Sequence, residues 1–209
     1  MSAGQVLREP WPTRERQRVA ASFGLWVFLA SEVLFFGGIL FFYAVLRVTH
    51  PDAVRTAARE AAVAYGTVNT VILLTSSFCM AVVEGAVAGG RETLARRMAW
   101  AALLLGLAFL VTKGFEYDKD ITEHLLPGAG FKFGRGPEQI FWAFYWTVTA
   151  VHAVHVTIGL GLISRLLLLG RRGPLRAERD TVEVTALYWH LVDCVWVLLY
   201  PLIYLIGRP

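Results

Sequence analysis

The chain has 209 residues, of which 56% are hydrophobic and only 17% are charged. A soluble domain carries roughly a quarter charged residues, and here the charges fall in clusters between long apolar runs. This segregation excludes an ordinary soluble domain and is typical of a chain whose main solvent is lipid. The net charge of +4 comes from basic residues that flank the apolar runs, so it does not indicate nucleic-acid binding.

Five apolar runs predict five transmembrane helices, so the expected fold is an all-α integral membrane bundle. We place the helices at about 23–46, 65–88, 98–117, 140–169 and 182–206. The first run exceeds the apolar core of a signal peptide, about 7–15 residues, so we expect it to remain in the membrane. Residues 1–22 are predicted to be a cytoplasmic N-terminal segment, and 23–209 a single membrane domain.

The helix ends and loops carry further signals. Lys113 and Glu116 lie three residues apart at the end of the third helix, where they could pair at the membrane interface. Residues 118–139 are rich in glycine and proline, which predicts the longest surface loop. Cys79 and Cys194 lie inside apolar runs without metal-type spacing, so we interpret them as small core residues.

Small residues also form a stripe on the first helix. Gly24, Ser31 and Gly38 recur every seven residues, a pattern typical of close helix packing.

The distribution of basic residues predicts the orientation. With five helices, the N-terminus and the second and fourth loops share one side of the membrane. That side carries more Arg and Lys than the other, so the positive-inside rule predicts a cytoplasmic N-terminus and a C-terminus on the outer side.

Ionisable residues inside the apolar spans are the most informative feature, because each costs a few kcal/mol to insert. They are Glu32, His152, His155, His190 and Asp193. A rise of about 1.5 Å per residue places all five near the same depth. The simplest interpretation is one hydrogen-bonded cluster inside the bundle, because a carboxylate beside imidazole donors avoids an unpaired charge in lipid.

Two other kinds of site remain open for these residues. Three histidines and two carboxylates could bind iron, and histidines on facing helices could ligate haem. Against this, the four-helix di-iron pattern needs a second Glu-x-x-His helix, which the sequence lacks. Glu32 could instead line the pathway of a small proton-coupled transporter, although no inverted repeat is visible.

Five segments resemble a known family. They are "ASEVLFFGGILFFY" at 30–43 with Glu32, "VNTVILLTSS" at 68–77 with Asn69, followed by "VEGA" with Glu84, "KGFEY" at 113–117 with Glu116, "VHAVHVTIGLGL" at 151–162, and "YWHLVDCVWVLLY" at 188–200 with Trp189. In this order and spacing they resemble subunit III of the haem–copper oxidases (the cytochrome c oxidase subunit III family), in its five-helix form.

The resemblance implies a non-catalytic subunit without redox centres in a terminal oxidase of the aerobic respiratory chain, in the bacterial inner membrane. Its expected partners are subunit I, which would hold the haems and copper, subunit II, and membrane lipid. Many family members have two additional N-terminal helices, and extra C-terminal helices of subunit I could complete the lipid cleft that those helices line. Glu32 would be the family's intramembrane glutamate and would support proton uptake. Arg47 and Arg165, at helix ends, are candidates for binding lipid phosphate.

One alternative within the resemblance concerns the reaction. Some nitric oxide reductases have an accessory protein that resembles a five-helix subunit III. Pro201 interrupts the last helix where many oxidase sequences have no proline, which keeps this branch open. The electron donor, cytochrome c or quinol, is not fixed by the sequence.

Overall fold

The computed structural model describes residues 14–206, and these residues form helices and no β-strand. The helices are α1 (Arg14–Thr49), α2 (Pro51–Glu60), α3 (Val63–Ala88), α4 (Glu92–Thr122), α5 (Pro137–Arg172) and α6 (Arg179–Tyr200). A 3₁₀ turn (Leu175–Glu178) precedes α6, and a π turn (Pro201–Leu205) follows it. Five helical segments are long and apolar enough to cross a membrane, which confirms the predicted all-α bundle.

Several helices extend beyond the predicted spans because hydropathy detects only their apolar centres. Part of the predicted polar segment 1–22 lies outside the described residues, and the remainder, from Arg14, belongs to α1. Helix α4 runs from Glu92 to Thr122 instead of 98–117. Its first residue is fixed by tertiary contacts, since the Glu92 carboxylate accepts backbone N–H groups of Leu175 and Arg176 at 2.9 Å each.

Helix α2 lies where the sequence predicted only a polar loop. Pro51 occupies its first turn, and Val54, Ala57 and Ala58 are buried. These three residues follow the spacing of one apolar helix face. At 10 residues, the helix is too short to cross a membrane, and it packs against α5.

Pro201 does not end the last helix but changes its winding. Proline lacks the N–H that would bond the carbonyl four residues earlier, and the chain continues as a π turn, a form that occurs mostly as single turns within helices. The Tyr43 hydroxyl donates to the Leu202 carbonyl at 2.7 Å. This hydrogen bond attaches α1 to the π turn.

Close packing occurs at glycines of α3, α4 and α5, whereas the stripe predicted on α1 faces outward. A Cβ added at Gly106 would lie 2.7 Å from Leu160 Cδ2 and 2.8 Å from Trp189 Cη2. At Gly24 and Gly38 of α1, a Cβ would meet no described atom within 4 Å. The predicted role of the α1 stripe in packing within this bundle is therefore wrong.

We predict that Gly106→Ala lowers the unfolding free energy by about 1–3 kcal/mol, the usual cost of overpacking a filled core. Gly114→Ala on the same helix is the control, because its added Cβ would have no neighbour within 4 Å and alanine is the better helix former. Thermal unfolding of both variants in mild detergent makes the comparison. Equal midpoints would contradict the packing at Gly106.

Candidate functional site: buried polar groups of the helix bundle

Glu32 of α1 and His155 of α5 form a partly buried pair. Glu32 Oε2 lies 3.0 Å from His155 Nε2, and the two side chains are 15% and 16% exposed. The other ring nitrogen, Nδ1, lies 2.9 Å from the Val151 carbonyl. A carbonyl can only accept, so Nδ1 carries a proton, and the contact between Nε2 and Oε2 needs one more.

This single proton makes the pair neutral overall. Either an imidazolium faces a carboxylate, or a neutral imidazole accepts from a protonated carboxyl group. Both arrangements avoid a net charge in a medium of low dielectric constant. The pair is thus a site that holds one shared proton between α1 and α5.

Aromatic residues and α6 position this pair. The Tyr188 hydroxyl of α6 donates to the His155 backbone carbonyl at 3.1 Å, and the Phe28 ring stacks on Tyr188. The Phe36 ring approaches the imidazole edge-on, with centroids 5.4 Å apart. Three helices therefore meet around the proton-holding pair.

The remaining residues of the predicted cluster do not join Glu32 and His155. His190 Nδ1 contacts the Ser77 hydroxyl of α3 at 2.7 Å. Asp193 is buried, and within residues 14–206 its carboxylate forms no hydrogen bond with Glu32 or with the three histidines. A single hydrogen-bonded cluster of all five residues is thus not what the described structure contains.

His152 shows why residues at a similar depth in the membrane need not form one cluster. A step of three residues turns a side chain by about 300°, which leaves roughly 60° between His152 and His155. His155 faces α1, whereas the His152 ring lies between Phe109 and Trp196, with centroids 5.6 and 5.1 Å away. Both His152 nitrogens lack a hydrogen-bond partner among the described residues.

A second buried network surrounds Lys113. Its ammonium group donates to Glu116 Oε2 at 3.0 Å, Tyr145 Oη at 3.1 Å and Tyr204 Oη at 2.9 Å. The Tyr204 hydroxyl donates to Glu116 Oε1 at 2.6 Å. Tyr145 Oη lies 2.9 Å from Glu116 Oε1 and 2.7 Å from Asp120 Oδ2. The network joins α4 and α5 to the π turn.

The predicted pair of Lys113 and Glu116 is present, but its side chains are only 3% and 1% exposed. It therefore lies in the protein core, not at an interface with water. Aromatic rings complete the enclosure, with the Lys113 nitrogen 4.7 Å from the centroid of Tyr145, a cation–π arrangement.

Sequence reasoning missed Asp120, Tyr145 and Tyr204 as members of this network. Asp120 fell in the predicted loop, and both tyrosines were indistinguishable from ordinary membrane aromatics. The available signal was the spacing of Lys113, Glu116 and Asp120, which places all three on one face of a continued helix.

The other family-motif positions have separate surroundings. Asn69 is buried, without a side-chain hydrogen bond inside the described part of the chain, and Glu84 is exposed on α3. The Trp189 indole is buried and donates to Ser76 Oγ at 3.1 Å. Ser76 in turn donates to the Ala102 carbonyl, which links α6, α3 and α4.

The two candidate lipid-binding residues, Arg47 and Arg165, are both exposed. Near the end of α5 that includes Arg165, a groove of about 270 Å³ lies between α4 and α5 and is lined by Trp100, Leu103, Ser164, Leu167, Leu168 and Arg171. It combines mainly apolar walls with one guanidinium group.

The described residues include no group of three His, Cys, Asp or Glu side chains placed to hold a metal ion. Cys79 is buried, but Cys194 is exposed, and both are free thiols. The prediction that both cysteines are core residues is therefore correct only for Cys79. The fold and these sites define a multi-pass membrane protein with ionisable groups paired inside a helix bundle.

Comparison with known proteins identifies the family. The family model for cytochrome c oxidase subunit III matches residues 15–208. The chain is 32% identical to cytochrome c oxidase subunit 3 of Thermostichus vulcanus, over 88% of this chain and 87% of the relative. It is also similar to the probable quinol oxidase subunit 3 of Staphylococcus haemolyticus, with 26% identity over 88% of each chain.

A third relative has a different organisation. The haem–copper oxidase subunit I+III of Aeropyrum pernix is 31% identical over 95% of this chain, which spans 24% of that larger protein. Taken together, these matches show that the chain belongs to the cytochrome c oxidase subunit III family. It is a subunit III of a haem–copper oxidase, as the sequence motifs predicted.

Proposed function

We propose that this chain is the non-catalytic, non-redox subunit III of a terminal oxidase in an aerobic respiratory chain. In this role it stabilises subunit I, binds phospholipid and supports proton uptake. The observation that carries the proposal is the Glu32–His155 pair, which holds one shared proton at a contact of 3.0 Å.

The surroundings of this pair suit proton exchange. About one sixth of the surface of each side chain is exposed, so the pair is neither fully buried nor fully solvated. Moving a proton between Glu32 Oε2 and His155 Nε2 interconverts an ion pair and two neutral groups, and the net charge of the pair stays at zero. A group of this kind can take up or release a proton for a neighbouring subunit without a redox centre of its own.

The outward face of α1 supports a partner at this position. Only 17% of the apolar window of α1 is buried, against 33–50% for the other four spans. The small residues Gly24, Ser31 and Gly38 are exposed on it and would let another helix approach closely. Because a relative carries subunits I and III in one chain, we assign this face to subunit I, which would hold the haems and copper, with subunit II also in the complex.

The basic residues support a cytoplasmic N-terminus in the bacterial inner membrane. Arg91, Arg96 and Arg97 follow α3, and Arg171 and Arg172 end α5, so they lie on the membrane side from which α1 starts. The positive-inside rule assigns that side to the cytoplasm. The C-terminus then lies on the outer side.

For lipid binding, we propose that an acyl chain occupies the groove between α4 and α5, with its phosphate near Arg171. Arg165 lies about 9 Å along the same helix from Arg171, and Arg47 offers a second contact at the opposite membrane side.

We predict that Arg171→Gln, which removes the guanidinium group of the groove, and Arg165→Gln and Arg47→Gln each reduce the phospholipid that co-purifies with the complex, measured by mass spectrometry. The control is Arg135→Gln, in the exposed loop. Unchanged lipid content in all three variants would reject these contacts.

We predict that Glu32→Gln leaves the oxidase able to turn over but slows proton uptake several-fold. The new carboxamide can donate an N–H to His155 Nε2 while Nδ1 still donates to Val151, so the contact persists without an ionisable carboxyl group. Oxygen consumption and proton uptake by the complex in vesicles provide the two measurements.

The matched control for this test is Glu183→Gln, an exposed carboxylate in the first turns of α6. It should change neither rate. A nearly complete loss of all activity in Glu32→Gln would favour a transporter built around this residue. Full retention of every property would remove Glu32 from the site.

A further inference from the structure

The network around Lys113 needs one more proton than its side chains carry when both carboxyl groups are ionised. Six contacts of 2.6–3.1 Å join Lys113, Glu116, Asp120, Tyr145 and Tyr204. Lys113 supplies three protons, and each tyrosine supplies one. If both carboxyl groups are ionised, one contact therefore joins two oxygens with no proton between them.

The same assumption leaves a net negative charge in the core. One ammonium group faces two carboxylates, and all three side chains belong to residues that are at most 2% exposed. An uncompensated buried charge is strongly unfavourable. One additional proton on a carboxyl group gives every contact a proton and makes the network neutral.

The contacts indicate which carboxyl group holds this proton. Glu116 receives Lys113 at 3.0 Å and the Tyr204 hydroxyl at 2.6 Å, so its negative charge is well compensated. Asp120 contacts only Tyr145 among these groups. The neighbouring cation on α4, Lys119, does not act as a counter-ion for Asp120, because it is paired with Glu123 at 3.6 Å. The nearby Tyr117 hydroxyl donates to Thr149.

We propose that Asp120, Tyr145 and Glu116 form a proton-binding site, in which Asp120 is the protonated acid and the Tyr145 hydroxyl is a relay. In the resting arrangement, Asp120 Oδ2 donates to Tyr145 Oη, and Tyr145 donates to Glu116 Oε1. A proton moves through the relay when Asp120 gives its proton to Tyr145 while Tyr145 gives its own to Glu116. The negative charge then passes from Glu116 to Asp120, and no proton is gained or lost.

The site lies at the end of α4 next to the loop 123–136. The Leu125 N–H donates to the Asp120 backbone carbonyl at 2.9 Å, and the Trp146 indole donates to the Leu125 carbonyl. Leu125 is fully buried, and these two hydrogen bonds hold the first residues of the loop against α4 and α5. This arrangement is separate from the Glu32–His155 pair, and the inference does not depend on the role proposed for that pair.

The test is infrared spectroscopy of the full-length chain, purified in its native complex and labelled with ¹³C in the aspartate carboxyl groups. We expect a protonated-carboxyl band in the wild-type-minus-Asp120→Asn difference spectrum, and we expect this band to shift on labelling. Asp118→Asn, an exposed acid on the same helix, is the control and should give no such band. A flat Asp120→Asn difference spectrum in the protonated-carboxyl region would overturn the proposal.

A second measurement separates protonation from a failure to fold. Asn at position 120 can donate an N–H to Tyr145 in place of the acid proton, so the melting temperature of Asp120→Asn should match that of the wild type. Glu116→Gln removes the counter-ion of Lys113 and should lower the melting temperature by several degrees. An equal loss in both variants would mean that Asp120 is ionised in the native protein, and the proposal would be wrong.

Discussion

A charged side chain buried in a membrane protein is costly unless it is paired, and such pairing draws several helices of this bundle together. The network of Lys113 joins α4, α5 and the π turn around one ammonium group. Tyr204 reaches that network from the π turn after Pro201, and Tyr43 holds the same turn from α1. The unusual end of the last helix is therefore part of how the bundle neutralises its buried charges.

The sequence predicts the number and order of the spans because each has an apolar centre long enough to cross a bilayer. It does not predict α2, since ten residues with three apolar positions resemble a loop. The predicted α4 is too short, because the charged end of this helix is buried by residues that are remote in sequence. For the site, the sequence identified Glu32 and His155 but grouped them with His152, which faces another side of α5. Depth follows from position along a helix, whereas a partner depends on rotation and on which helices are adjacent.

The two proposed proton-holding sites differ in their exposure. The Glu32–His155 pair lies on the sparsely packed α1 and is partly exposed, as expected of a group that serves a neighbouring subunit. The Asp120 site lies next to the loop 123–136 and is buried. Membership of the cytochrome c oxidase subunit III family supports the role proposed for the Glu32–His155 pair. The proposal for Asp120 is argued from hydrogen-bond geometry.

The role of this chain in an oxidase is tested most directly by a reduced-minus-oxidised optical spectrum of the complex that co-purifies with it in mild detergent. Our account predicts an a- or o-type haem signal, contributed by subunit I. Haems b and c alone would shift the assignment towards the nitric oxide reductase branch. A preparation that contains no haem would contradict the proposed function.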